Sequence, residues 1–519
     1  MANRNQNASK KWDKRSSKNK RNGNRSNKGY NKKTEGQDFK DDIQEGYGSN
    51  DPAWYAADTR IMLDAASFPF NRRTGSLIVR DKFPDEAIPG ILALKTVPTF
   101  GLNEFADSPV RVAAQRLYTT MRVTQSGQKN YDPVDFFVYM AAMGQVYSFI
   151  VWAQRLYAYS MTFSQKNEYW PKGFAAAENV SPVGLLDGTQ LAQFRYWLNN
   201  FINRASAFAV PNTLPYFNKL AFQYRDIYID NAATLKNQMY MYSPEGFHKF
   251  TINSQTSAGE LIYAPLPNNA TLAQIEAYGD NLLYAIYEQE DAGTMSGDIV
   301  KTWGNNVVKL AQVPEVIDIQ PIYDPLVLQQ IKNTRVVSTL DPQSTNLIQS
   351  SGILYSIPKL TGQTTLNESV DLNRITSDLL LTVDSAEPTA AEVMELTRNI
   401  PVQATADTAG TAHIQCGTFV VHMLRFVTHD PAHNTFTVTT SLAWIGGTYS
   451  VSASATLIRM LKEFHYAPTF TICDGTGNLE KDIIDTDNWT IIRHYDLVPV
   501  HETAWLNMLA VPTIGLVRK

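Results

Sequence analysis

Between Ser108 and Phe208 the apolar positions recur at helical spacing. Ser108-Pro109 reads as an N-cap followed by the first helical residue. Val110, Ala114, Leu117, Tyr118 and Met121 then fall on one helix face. Asp132-Pro133 repeats the start signal, with Asp135 in the first turn, where an acid suits the helix dipole. The helix it opens is apolar nearly all round through Phe163, a pattern that belongs inside a large core. Its stretch Phe136 to Ala153 is apolar enough to pass for a membrane span. Gln145 interrupts that stretch, and Gln154-Arg155 follow with the helical pattern continuing, so a buried core helix is the reading taken. Leu191, Phe194, Leu198, Phe201, Ile202, Ala205 and Phe208 make a third face, which Pro211 closes. Folding is expected to start near Pro52-Ala53-Trp54-Tyr55, and the segment from there to about Tyr228 reads as helical.

Beyond residue 235 the texture changes. Segments shorten, Pro and Gly punctuate, and strand-like runs appear. Thr271 with Gln274 forms a capping-box pattern opening a helix to about Tyr287. Residues 300–385 mix short apolar runs with many Ser, Thr, Asn and Gln. Pro388 opens a helix over 388–398. Two strand-like runs follow, Thr418 to Thr428 and Thr435 to Ala443, split by His429-Asp430-Pro431. A helix around Ala453 to Phe464, a strand around Thr469 to Cys473 and a final apolar segment to Val517 complete the pattern. The class predicted is mainly α with α+β portions, and 519 residues exceed what one compact core usually holds.

Charge changes this picture once it is divided along the chain. Residues 1–33 hold twelve basic side chains against the single acid Asp13, a net +11. They are Arg4, Lys10, Lys11, Lys14, Arg15, Lys18, Lys20, Arg21, Arg25, Lys28, Lys32 and Lys33. The remaining residues hold 34 basic and 49 acidic side chains, a net −15, so the overall −4 conceals a basic arm on an acidic body. The arm has eight Asn and only Trp12 and Tyr30 as aromatics, too little apolar surface to offset the entropy of ordering. Disorder is expected over residues 1–50, with the acids Glu35, Asp38, Asp41, Asp42 and Glu45 ending the basic zone. Such an arm suits RNA phosphates, with Trp12 and Tyr30 able to stack on bases, and nothing in it is built to read base edges. A plain linker or a nuclear-localisation signal is the competing reading. No signal peptide is visible, and Cys416 and Cys473 are too few for a disulfide framework.

Catalytic and metal motifs fail on their context. Tyr278-Gly279-Asp280-Asn281 is similar to the metal-binding turn of some RNA polymerases, but its flanks Leu272, Ile275, Leu282, Leu283 and Ile286 fit a helix, and a second acidic motif is not evident. Seven of the eight histidines fall between His413 and His501. His429 and His433 are four apart, but Asp430-Pro431 disfavours the continuous helix that a zinc pair at this spacing needs. His501-Glu502 begins like a zinc-protease helix whose second ligand is replaced by Trp505. Asp485-Thr486-Asp487-Asn488 lacks the glycine of a calcium loop, and Gly475-Thr476-Gly477 lacks a phosphate-loop lysine. The expectation is a protein without a catalytic residue, metal or cofactor.

The layout resembles that of picobirnavirus capsid proteins. The likeness runs from the Asn/Lys/Arg-rich arm through DPAWYAADTRIMLDAASFPF (Asp51 to Phe70) and YDPVDFFVYMAAMGQVYSFIVWAQRLYAY (Tyr131 to Tyr159) to the C-terminus. The resemblance implies an icosahedral shell of capsid dimers, an α-helical shell domain and a mixed projecting domain that pairs across a two-fold axis. It also implies packaged double-stranded RNA. On that reading residues 1–50 are arm and linker, 51–235 the first part of the shell domain, 236–385 the projecting dimerisation domain and 386–519 the rest of the shell. Partners would be further copies of the chain and viral RNA, without membrane insertion. The protein would reside in the virion, and in host cytoplasm during assembly. Some relatives cleave their own N-terminal segment, and no residue here marks such a site. A nucleocapsid that coats RNA as a filament is the runner-up. It needs a positive groove in the body, whereas this body is acidic.

Overall fold

The computed structural model describes residues 58–68, 77–78, 86–87, 90–161, 170–232, 237–317, 319–361, 366–430, 435–441, 444–445, 460–461, 463–468, 471–473, 479–482 and 488–511. The chain divides into two units, residues 1–71 and 72–519. In the first, the helix Thr59–Ala66 is capped by Asp58, whose side chain accepts from the Arg60 N–H, and none of its residues is buried.

The second unit is mixed α and β. Its helices include α1 (Pro109–Thr124), α2 (Pro133–Met161), α3 (Trp170–Glu178), α4 (Gly188–Ala205), α5 (Pro215–Gln223), α6 (Leu272–Tyr287), α7 (Glu290–Trp303), α8 (Pro325–Lys332), α9 (Ala390–Leu396) and α10 (His494–Met508). Its principal strands are β1 (Ile91–Pro98), β2 (Tyr228–Ile229), β3 (Met239–Pro244), β4 (Gly246–Ile252), β5 (Gly259–Pro265), β6 (Leu379–Val383), β7 (Phe419–Asp430), β8 (Thr435–Ser441) and β9 (Asn488–Ile492). A five-stranded sheet runs in the order β8-β7-β1-β3-β2. β1 and β3 are parallel, with Ile91 opposite Met239 and Thr96 opposite Pro244. The other pairs in this sheet are antiparallel. Parallel neighbours need a long crossover, and here α1 to α5 supply it.

Helix α2 is the centre of this unit. In its most apolar 18-residue window 94% of the residues are buried inside the protein. α1, α4, α5, α6 and β4 pack around it. Phe149 sits in a nest of rings, with Trp152, Trp197, Phe201, Phe247 and Tyr278 at centroid distances of 5.7 to 6.4 Å. Gly279 of α6 lies against the Phe149 ring, where an added Cβ would come within 2.5 Å of a ring carbon.

Most of the expected helices stand near their expected limits. Thr271 and Gln274 form the reciprocal cap of α6. α9 begins later than expected, because Thr389 and Glu392 cap it rather than Pro388. β7 continues through His429 and Asp430, where a break was expected, because both pair with β8. The segment read as helical up to Tyr228 contains β1, whose eight residues are all buried. A strand covered on both faces shows no alternation to mark it. The final apolar segment is largely α10, a helix with Pro499 inside it.

The hydrophobic core is continuous across the boundaries expected at 235 and 385. β2 pairs with β3 across the first, and β6 pairs with β9 across the second. One large cluster of buried side chains runs from Ile91 to Val511. A smaller one joins Val97, Val337, Leu340, Ile375 and Ile414, and a third joins Leu379, Leu381, Ile400, Val402 and Leu497.

A polar network fastens α2 and α3 to the sheet. Arg155 donates to Glu178 and, at 2.7 Å, to the Tyr242 carbonyl, and both ion-pair side chains are wholly buried. Glu178 also accepts from Trp152 Nε1 at 3.0 Å and Ser243 Oγ at 2.5 Å. Lys95 Nζ reaches Ser243 Oγ at 2.8 Å and the carbonyls of Pro244 and Glu178 at 2.9 and 3.0 Å. Burial lowers the Lys95 pKa to about 8, against the pull of Glu178. Removing one member of such a pair leaves an uncompensated charge in the core, at a cost of about 3–5 kcal/mol. Glu178→Ala is therefore expected to destabilise the folded body by that amount in chemical denaturation. A loss below about 1 kcal/mol would refute the network's role.

Candidate assembly and nucleic-acid surfaces

All twelve basic residues proposed for RNA contact, from Arg4 to Lys33, lie outside the described residues. The chemistry-like motifs of the body have structural surroundings instead. Asp280 lies on α6, where Arg204 donates to it and Trp197 Nε1 approaches at 3.3 Å. Gly279 beside it is explained by the close approach of Phe149.

The histidines are dispersed. His413 Nδ1 lies 3.2 Å from both Glu104 and Thr405. His429 packs against Phe436 at 4.9 Å. His501 is buried on α10, its Nε2 2.9 Å from the Ile400 carbonyl. Trp505 donates to the Cys416 carbonyl at 2.8 Å, which occupies the position where the zinc-protease pattern needs its second histidine. Cys416 is buried, and burial pushes its thiol up to about 12. Among the described residues, no three His, Cys, Asp or Glu side chains converge as metal ligands would. Residues 474–478 and 485–487, which hold the glycine pattern and most of the calcium-like run, and His433 lie outside the described residues.

Two concave surfaces stand out. A cleft of about 660 Å³ lies beside α1, lined by Arg111, Gln115, Arg116, Val134 and Leu354 among others. Arg111 is held there by the Leu354 carbonyl at 2.7 Å and by the Tyr355 ring, 4.4 Å from its guanidinium. A second hollow of about 350 Å³ is lined almost entirely by apolar groups, including Leu381, Val393, Met394, Leu497 and Val500. Trp489, which also lines it, and Ile491 next to it on β9 stand more than half exposed.

A family model described as picobirnavirus capsid protein matches residues 54–438. The chain belongs to the picobirnavirus capsid protein family. The capsid protein precursor of a human picobirnavirus (strain Human/Thailand/Hy005102/-) is 27% identical over 509 residues, covering 90% of this chain and 92% of the relative. The fold matches that of the crystal structure titled as the picobirnavirus capsid, with a TM-score of 0.73 at 19% identity. That match covers 88% of this chain and 98% of the other. This capsid protein is thus a structural component of the virion.

Motif reading missed His422, a histidine whose surroundings favour its charged form. His422 Nδ1 lies 2.8 Å from Glu245 Oε2, and its Nε2 lies 2.9 Å from the Ser338 carbonyl. Both ring nitrogens face acceptors, so the doubly protonated ring is the best satisfied. Burial opposes the charge, but the Glu245 hydrogen bond and attraction outweigh it and raise the pKa. His501 is the opposite case: burial, aided by Arg398, lowers it to about 3. A raised folded-state pKa gives stability that is present in acid and lost as pH rises through it. A lowered one gives stability that is present above the unfolded value of about 6.5 and lost as pH falls towards 3. His422→Gln should therefore destabilise the protein more at pH 5.5 than at pH 8.5, whereas His501→Gln should flatten the acid side of the melting-temperature profile. Parallel profiles for wild type and both variants would refute this assignment.

Proposed function

We propose that this capsid protein closes, as dimers, into an icosahedral shell and packages RNA without sequence preference through its basic arm. The observation that carries the packaging half is the division of charge, +11 on residues 1–33 and −15 on the rest. An acidic body repels phosphate, so attraction for RNA rests on Arg4, Lys10, Lys11, Lys14, Arg15, Lys18, Lys20, Arg21, Arg25, Lys28, Lys32 and Lys33. Each arm would neutralise about ten phosphates, releasing their counterions. The arm points inward in this reading, and the RNA is the double-stranded genome that the family resemblance implies. Assembly takes place in host cytoplasm, and no step needs insertion into a membrane.

Within the dimer, residues 236–385 supply the projecting, pairing surface. Supporting this, Tyr284 and Tyr287 of α6 are exposed beside Arg204, the Tyr287 hydroxyl donating to the Arg204 carbonyl at 3.0 Å. Exposed tyrosines beside an arginine are common anchors of protein interfaces. Tyr284→Asp is expected to weaken dimers at least tenfold in sedimentation experiments without lowering the melting temperature. Unchanged dimers would remove this surface from the pairing contact.

Purified full-length protein is expected to form closed particles under the electron microscope, with no added enzyme or cofactor. A stable monomer at every salt and pH would refute the shell, and filaments would favour a nucleocapsid. Deleting residues 2–33 should leave particles that hold much less nucleic acid, read as a lower 260/280 nm absorbance ratio. Replacing only the twelve basic residues with Gln should do the same, which separates charge from length. Truncated particles carrying full RNA would refute the arm's role.

A further inference from the structure

Among the described residues, the two-stranded sheet of β6 and β9 has one covered edge and one open edge. Along β6, the Asn333 side chain grips Thr382, accepting from its N–H and donating to its carbonyl, both at 2.8 Å. Arg335 donates to the Leu380 carbonyl at 3.3 Å. Among the described residues no strand flanks β9 on its other side. Asn488, Trp489, Thr490 and Ile491 are all exposed, and Ile492 is half-buried. On the face shared with Leu380 and Thr382, the β6 side chains are buried, while Ile491 is 57% and Trp489 51% exposed.

Soluble proteins usually blunt an open strand edge with lysine, proline, a bulge or a covering loop. β9 reads Asn-Trp-Thr-Ile-Ile, with neither charge nor proline. Such an edge is a template for another strand. We infer that β9 pairs antiparallel with β9 of a second copy across a two-fold axis, joining two β6–β9 sheets into one of four strands. This surface rests on the proposed shell and adds a contact distinct from the 236–385 pairing. Dimers held by one contact do not close into a shell, and a second interface must link them.

The second copy is chosen because the strand is complementary to itself. Two-fold pairing centred on Thr490 sets Trp489 opposite Ile491 of the other strand, twice, on one face. Directly opposed residues of antiparallel strands point to the same face and have Cβ atoms about 5 Å apart. Centring on Trp489 or on Ile491 instead leaves one of the two large side chains unmatched. Thr490 then meets Thr490, a pair whose hydroxyls hydrogen-bond readily. Five paired residues bury well under the roughly 1,200 Å² of a stable free complex. The contact therefore holds inside the particle, where the other interfaces keep the copies together.

The test uses full-length protein assembled into particles. Thr490→Cys places two thiols within disulfide reach, because opposed Cα atoms lie about 4.5–5.5 Å apart. Mild oxidation should convert most chains into reducible dimers in particles and few in dissociated subunits, whereas Ile348→Cys, exposed on another hairpin, should not cross-link. Trp489→Asp with Ile491→Lys should keep the circular dichroism and melting temperature of wild type while reducing particle yield at least tenfold. Thr490→Cys particles that form without the cross-link, or that cross-link through any other contact, would overturn this surface and leave the shell intact. Undiminished particles from the double variant would overturn it too. If wild type forms no particles, the shell reading fails, and this contact fails with it.

Discussion

A 29-residue helix that is apolar on nearly every side has to be covered on every side. At about 1.5 Å per residue, α2 is roughly 43 Å long, too long for any one neighbour to bury. The rest of the body follows from that requirement. Helices come from both sides in sequence, α1 before it and α4, α5 and α6 after it, and the β4–β5 hairpin closes against it. Rings fill the junction around Phe149, and Gly279 is where α6 comes closest.

Burying such a helix also buries its polar exceptions. Arg155 sits in its C-terminal half and cannot reach water, so Glu178 and the Tyr242 carbonyl receive it. The same carboxylate then takes Trp152 and Ser243, and Ser243 takes Lys95. One acid on α3 thereby links the long helix to both parallel strands of the central sheet. Apolar contacts tolerate sliding, whereas these bonds fix one register. His422 and Glu245 add a second polar tie between β7 and the turn that follows β3.

The surface follows a different logic from the core. The body is acidic in sum, and large apolar side chains stand exposed on it, among them the tyrosines of α6, Val393 and Met394 of α9, and Trp489 and Ile491 of β9. For a monomeric enzyme such features would be liabilities. In a shell subunit, features of this kind are available to be covered by neighbouring copies. Basic charge is densest on the arm, with twelve basic side chains against one acid in 33 residues, whereas the rest of the chain holds 34 basic side chains against 49 acidic ones.

Local order decided how much of this was legible in the sequence. The helix starts at Pro109, Pro133 and Thr271, the burial of α2 and the basic arm all rest on neighbours within a few residues, so periodicity, capping residues and charge counts were enough to read them. The family was legible too, because long runs of text carry it. What depends on residues far apart was not. β1 looks like part of a helical region because a strand buried on both faces has no alternation, and only its partners β3 and β7, about 150 and 330 residues away, make it a strand. The core crosses residues 235 and 385 because β3 and β9 return to strands from other segments, a pairing that composition cannot register. Lys95, His422 and the β9 edge carry no motif. A lysine becomes a core residue, a histidine's pKa rises and a strand edge stands without a partner among the described residues only through what the folded chain places beside them.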